Sequence, residues 1–150
     1  MKIELFSDGG CSIFINKLFY NNLDYNNKDD IVDIVKKYII KLRYKLNLSG
    51  FYKVKVYVNK YVGLFIDIYK LEEIEFSNNI DLRVIVYLNE DVLFETYDYD
   101  LLSNYDSIKF YNNKYYLKVD NNINLNNIVE HGKYIYGKDL FKILNNGVFI

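Results

Sequence analysis

Apolar and polar positions alternate with period two through much of the chain, the pattern of strands with one face buried. From Tyr52 to Val58, Tyr52, Val54, Val56 and Val58 take one face, and Lys53, Lys55 and Tyr57 the other. Past Asn59-Lys60, Val62, Leu64, Ile66 and Ile68 line one face, with Tyr61, Phe65, Asp67 and Tyr69 opposite. These two runs predict the clearest hairpin in the chain. Lys2 to Phe6 and Ser12 to Lys17 predict another around Ser7-Asp8-Gly9-Gly10, because glycine accepts the positive φ of a tight Asp-Gly turn. Leu82, Val84, Val86 and Leu88 alternate next, followed past Asn89-Glu90-Asp91 by Val92, Phe94 and Thr96, which reads as a third hairpin. Ile108 to Tyr111 and Lys114 to Val119 pair across Asn112-Asn113 in a fourth. Short Asn runs punctuate the chain as turn markers, since Asn tolerates left-handed backbone angles.

The period changes from about Lys28 to Leu48, where Ile31, Ile34, Val35, Tyr38, Leu42 and Leu46 recur at helical steps. Asp29, Asp30 and Asp33 open that segment and Lys36, Lys37, Lys41, Arg43 and Lys45 follow, an order that complements the helix dipole. Leu125, Ile128 and Val129 predict a short helix ending near Gly132. A second, carrying Leu140, Phe141 and Leu144, ends near Asn146 or Gly147, with Val148-Phe149-Ile150 closing as a strand. The expected fold class is α+β: antiparallel β-hairpins packed against one long helix and two short C-terminal helices. A single compact domain over residues 1–150 is expected, with a candidate sub-boundary in the polar stretch 72–79.

The 150 residues are 51% hydrophobic and 26% charged with a formal net charge of -1, which excludes a disordered tail or a polybasic arm. Pro, Trp, Ala and Gln are absent while Asn, Lys, Ile and Tyr abound, the signature of an A/T-rich coding sequence. The N-terminus has no secretory pattern, and no window approaches the roughly 18 apolar residues of a membrane span. One cysteine, Cys11, forms no intrachain disulfide and points to the cytoplasm. One histidine, His131, cannot complete a zinc site of the usual ligands. No metal and no cofactor are expected. A phosphate-binding glycine loop and a strand-helix-strand repeat are absent as well.

Three patterns offer chemistry. Asp8 with Gly9 and Gly10 after a first strand looks a little like the first-strand motif of ribonuclease H-like nucleases, which hold two metal ions between clustered carboxylates. No Glu stands on the long helix to share them, so a hairpin turn accounts for Asp8 better. Cys11 and His131 are the elements of a nucleophile-base pair without an identifiable orienting group, and a buried thiol and a helix-end imidazole explain them as well. Tyr and Lys interleave on the polar faces of two hairpins: Lys53, Lys55 and Tyr57, then Lys109, Tyr111, Lys114, Tyr116 and Lys118. That pairing suits single-stranded nucleic acid, yet the acidic residues balance the basic ones. Protein recognition suits the rings better, because Tyr buries area at low entropy cost and keeps a polar tip. The candidate partner-binding residues are therefore Tyr57, Tyr61, Phe65, Tyr69, Tyr111 and Tyr116.

Several segments resemble the MecA-type adaptor proteins of Gram-positive bacteria. Met1-Lys2-Ile3-Glu4, a second strand, a charged helix, and the hairpin from Gly50 to Val56 and Gly63 to Ile68 are similar to that family's N-terminal domain. Phe110 to Leu117 resembles its aromatic hairpin, and Glu130-His131-Gly132-Lys133 resembles its Glu-Tyr-Gly-Lys. Of the long acidic linker usual in the family only Glu72 to Asn79 could serve here, and the family's acidic phenylalanine-bearing helix is replaced by the hairpin expected at Leu82 to Thr96. The resemblance implies a non-enzymatic adaptor whose partner is a Clp-type AAA+ unfoldase or its client. The expectation is a cytoplasmic protein-interaction module, adaptor or inhibitor, with a second copy of the chain as a further candidate partner. A single-strand nucleic-acid binder is the first alternative class, and a metal-dependent ribonuclease H-like nuclease the second.

Overall fold

β-Structure dominates the described residues, with two five-stranded sheets against two α-helices. The computed structural model describes residues 2–5, 10–20, 22–45, 48, 50–72, 80–121, 123, 125 and 128–150. The turn residues Ser7, Asp8 and Gly9, and most of the candidate boundary at 72–79, lie outside them. By its contacts the chain divides into two compact units, Met1–Asn89 and Glu90–Ile150.

The first unit runs β1 (Lys2–Leu5), β2 (Cys11–Asn16), α1 (Lys28–Leu42), β3 (Gly50–Asn59), β4 (Gly63–Glu72) and β5 (Ile80–Tyr87). Its strands lie in the order β1-β2-β4-β3-β5; β5 runs parallel to β3 and the other pairs are antiparallel. Asn27 caps α1, its Oδ1 accepting from the Asp30 N–H at 3.3 Å, and Asp29 and Asp30 sit in the first turn where the dipole favours them. Ile31, Val35 and Ile39 on α1 are fully buried against Ile13, Ile15, Val54, Val56, Leu64, Ile66 and Ile68 from one sheet face. Each contributes on the order of 1.5–3 kcal/mol through burial. At the β3–β4 turn, Asn59 Oδ1 accepts from the N–H groups of Tyr61 and Val62 at 2.9 and 3.1 Å. Gly63 there adopts φ +137°, and a Cβ on it would lie 2.1 Å from the Ile15 carbonyl oxygen. Backbone conformation and space both demand glycine.

The second unit runs β6 (Leu93–Thr96), β7 (Lys109–Tyr111), β8 (Lys114–Lys118), β9 (Lys133–Ile135), α2 (Lys138–Asn146) and β10 (Val148–Phe149), in the sheet order β10-β7-β8-β6-β9. Asn112 and Asn113 both take positive φ (50° and 63°), the left-handed pair that a two-residue hairpin turn requires. Leu140 and Ile143 of α2 pack on Leu93, Tyr116 and Ile135.

Several expectations need correction. Among the described residues the fold is mostly β with two α-helices, and the expected arrangement of one long helix with two short C-terminal helices is not found. Among the described residues between Leu125 and Gly132 there is no α-helix; Val129–His131 make a 3-10 turn and Gly132 leads into β9. The long helix ends at Leu42 rather than near Leu48, and Gly50 opens β3 with φ 98° instead of terminating it. The hairpin expected from Leu82 to Thr96 does not form either. Its first strand pairs with β3 in one sheet and its second with β8 and β9 in the other. No helix among the described residues is long and apolar enough to cross a membrane.

Candidate functional site

Because α1 covers one face of the first sheet, the alternation of each strand turns its other residues to the opposite face. Register then aligns them in rows. Phe14 on β2 pairs with Phe65 on β4, Phe65 with Tyr57 on β3, and Tyr57 with Tyr87 on β5. Four aromatic rings thus stand abreast on four neighbouring strands. Phe14 and Phe65 stack with centroids 4.8 Å apart and planes inclined by 27°. Tyr57 and Tyr87 stack at 5.1 Å and 18°.

Those separations nearly match the ~4.8 Å between adjacent strands. Rings lying flat on a sheet would be held farther apart by their own width. The rings therefore stand upright, spend their faces on one another, and turn their edges away from the sheet. The edge is the positive rim of the aromatic quadrupole, and for Tyr57 and Tyr87 it includes the hydroxyl. Phe65, in the middle, is only 3% exposed; Phe14, Tyr57 and Tyr87 are half-buried.

The next row holds Ser12, Asp67, Lys55 and Ile85, and beyond it come Tyr69, Lys53 and Arg83. Asp67 is buried, and its carboxylate accepts from Ser12 Oγ at 3.0 Å and from the Tyr69 hydroxyl at 3.4 Å. The Lys55 ammonium lies 5.7 Å from the Tyr69 ring centroid. Asp67 is thus held inside the sheet surface, while Lys53 and Arg83 stand side by side with no ion pair among the described residues. An apolar row bordered by a basic corner results.

No known protein family, curated protein or solved structure matches the chain. Nothing in those comparisons bears on the resemblance to MecA-type adaptors.

The residues singled out from sequence fall into three places. Tyr57, Phe65 and Tyr69 share the face just described. Tyr61 sits in the β3–β4 turn, 39% exposed, with the Lys60 ammonium 5.1 Å from its ring centroid. Tyr111 and Tyr116 belong to the second unit, on the face that α2 packs against, where Tyr116 is 3% exposed. The supposed polar face of that hairpin is thus its inner one. Lys109 reaches out of it to donate to the Leu144 carbonyl at 2.9 Å, near the end of α2. Phe14 and Tyr87, which complete the aromatic row, are not among the sequence candidates. Alternation alone is enough to flag Phe14 beside Ser12 and Asn16, whereas Tyr87 needs the parallel pairing.

A second polar cluster lies in the second unit. Glu95, 7% exposed, accepts from the Tyr116 hydroxyl at 2.6 Å and pairs with the Lys114 and Lys133 ammonium groups at 3.4 and 3.7 Å. Burial, then the contact with Glu95, pushes the Tyr116 pKa up, so its hydroxyl stays a donor. Glu95 is fully engaged by its own neighbours, which reads as a clamp between β6, β8 and β9.

Cys11 is 1% exposed under α1, and burial, with Asp67 nearby, pushes its thiol up to about 11. A thiol so held is no nucleophile near neutrality. Asp8 lies outside the described residues, and among those described no three His, Cys, Asp or Glu side chains converge as a metal site.

Proposed function

We propose that this protein is a cytoplasmic interaction module, an adaptor or inhibitor, that binds another protein through the sheet face carrying Phe14, Phe65, Tyr57 and Tyr87. The observation that carries the reading is the upright stacking of those rings. A surface built to read single strands lays aromatic faces open so that bases stack on them. Here the stacked faces within the row are occupied and only the outer faces of its end rings remain, so edges are most of what a ligand meets. Edges and tyrosine hydroxyls suit aliphatic side chains, carbonyl oxygens and carboxylates. With Lys53 and Arg83 at the corner, the favoured partner presents an apolar segment flanked by acidic residues. The resemblance to MecA-type adaptors supports the same class of function, with an unfoldase of the Clp type or its client as the candidate partner.

Affinity capture from the native host, with wild type and a Tyr57→Ala, Tyr87→Ala double variant side by side, tests the reading. One dominant protein is expected with wild type and none with the variant, provided the variant keeps the wild-type circular dichroism. Equal recovery by both would remove the aromatic row from the function. Tight, steeply salt-dependent binding of single-stranded RNA or DNA would favour the alternative class.

A further inference from the structure

We propose that β5 pairs antiparallel with β5 of a second copy of this chain, about a two-fold axis at Ile85, joining two five-stranded sheets edge to edge. The inference shares Arg83 and Tyr87 with the proposed binding face but does not require a partner protein there, because lateral pairing leaves Phe14, Phe65 and Tyr57 uncovered. β5 is the edge strand of its sheet and eight residues long, with no strand on its outer side among the described residues. Free edges of that length expose a row of N–H and C=O groups, and proteins blunt them with Lys, Pro, bulges or very short strands. β5 has no Lys, no Pro and no bulge, and its two charged residues, Asp81 and Arg83, both lie on the face away from α1: it reads Ile80-Asp81-Leu82-Arg83-Val84-Ile85-Val86-Tyr87, and its register with β3 runs without a shift.

Self-complementarity selects the occupant and the register. Leu82, Val84 and Leu88 pack at the margin of the core beneath α1 and are half-buried there. A two-fold at Ile85 sets Val84 against Val86 of the partner subunit and Leu82 against Leu88 of the partner subunit, which extends that apolar layer. On the opposite face it sets Arg83 against Tyr87 of the partner subunit, twice. The inner face of Tyr87 lies on Tyr57, so its outer face ends the aromatic row at the edge. Exposed Arg83 makes no ion pair among the described residues, and its guanidinium suits that ring face through a cation–π contact. Shifting the axis to Arg83 would oppose two guanidinium groups. Shifting it to Val84 would set the Asp81 carboxylate against the negative face of the tyrosine ring. Like-charge and anion-face contacts of that kind are selected against in paired strands.

Light scattering across a concentration series, together with single-cysteine crosslinking, tests the proposal. Wild type is expected to reach twice the 18.0 kDa chain mass and to fall back on dilution. Under mild oxidation Ile85→Cys should give a covalent dimer on a non-reducing gel. Arg83→Cys should not, and neither should wild type, whose Cys11 is buried. Ile85→Lys should remain monomeric with an unchanged circular dichroism spectrum. A chain mass that stays monomeric at every concentration, or crosslinking through Arg83→Cys in preference to Ile85→Cys, would overturn the proposal.

Discussion

Tyr57 on β3 and Tyr87 on β5 stack across the parallel strand pair of the first unit, with centroids 5.1 Å apart and planes inclined by 18°. Parallel neighbours are the weaker kind of strand pairing, and β5 is an edge. The stack therefore helps hold β5 in register. A double-mutant cycle with Tyr57→Ala and Tyr87→Ala in urea denaturation should give a coupling of about 0.5–1.5 kcal/mol. Additive effects would mean that the rings contribute by burial alone.

Gly63 and Gly132 should both resist replacement, for different reasons. Gly63 needs a positive φ, and a Cβ would also strike the Ile15 carbonyl oxygen at 2.1 Å and the Lys17 nitrogen at 2.8 Å. Gly132 is extended, at φ -166°, which any residue tolerates. Its obstacle is packing, since a Cβ would lie 2.2 Å from the Glu95 carbonyl oxygen and 2.5 Å from the Phe94 ring. Each Gly→Ala change should cost about 2–4 kcal/mol, read from the shift in denaturation midpoint at constant slope.

The Glu95 clamp predicts a further hierarchy. Tyr116→Phe removes the donor 2.6 Å from a buried carboxylate and keeps the ring in its core position. A loss of about 1.5–3 kcal/mol is expected. Lys133→Met, whose pair with Glu95 is longer and whose side chain is 59% exposed, should cost less than about 1 kcal/mol. A larger effect from Lys133 than from Tyr116 would contradict the clamp.

Alkaline pH should weaken the fold. The Cys11 thiol is held up to about 11 against 9.0 for an unburied thiol, and the Tyr116 hydroxyl is held above its ordinary 10.0. The folded chain thus keeps protons that the unfolded chain releases, so stability falls as pH rises. The Cys11 contribution is complete below pH 9 and is lost between 9 and about 11. The Tyr116 contribution begins to fall above pH 10. Urea midpoints measured from neutral to alkaline pH should show this decline, shallower in Cys11→Val between pH 9 and 11. Native Cys11 should also label with a thiol reagent far more slowly at pH 8 than in the unfolded chain.

Local patterns carried the first unit a long way. Helical spacing from Ile31 to Leu42 identified α1, and strict alternation from Tyr52 to Tyr69 identified β3 and β4 with the correct inner faces. Tyr57, Phe65 and Tyr69 were legible as one face for the same reason. Pairing partners were not legible. The alternation of Leu82 to Leu88 is the same whether its strand joins β3 or forms a hairpin with β6, and Asn89-Glu90-Asp91 imitates a hairpin turn although the chain passes there to the second unit. In β7 and β8 both faces are amphipathic: Phe110, Tyr115 and Leu117 oppose Tyr111, Tyr116 and Lys118. Period two separates such faces without saying which of them a nine-residue helix will cover. Leu125, Ile128 and Val129 match helical spacing over a single turn, too short a span to outweigh the extended backbone that Gly132 adopts against β6.

Hydroxyl-radical footprinting of the protein with and without its captured partner decides whether the aromatic row is the contact surface. Protection concentrated on Phe14, Tyr57 and Tyr87, with Tyr61 and Tyr97 oxidised as before, is the predicted result. Protection of Tyr61 or Tyr97 while the rings of the row stay as reactive as in the free protein would contradict it.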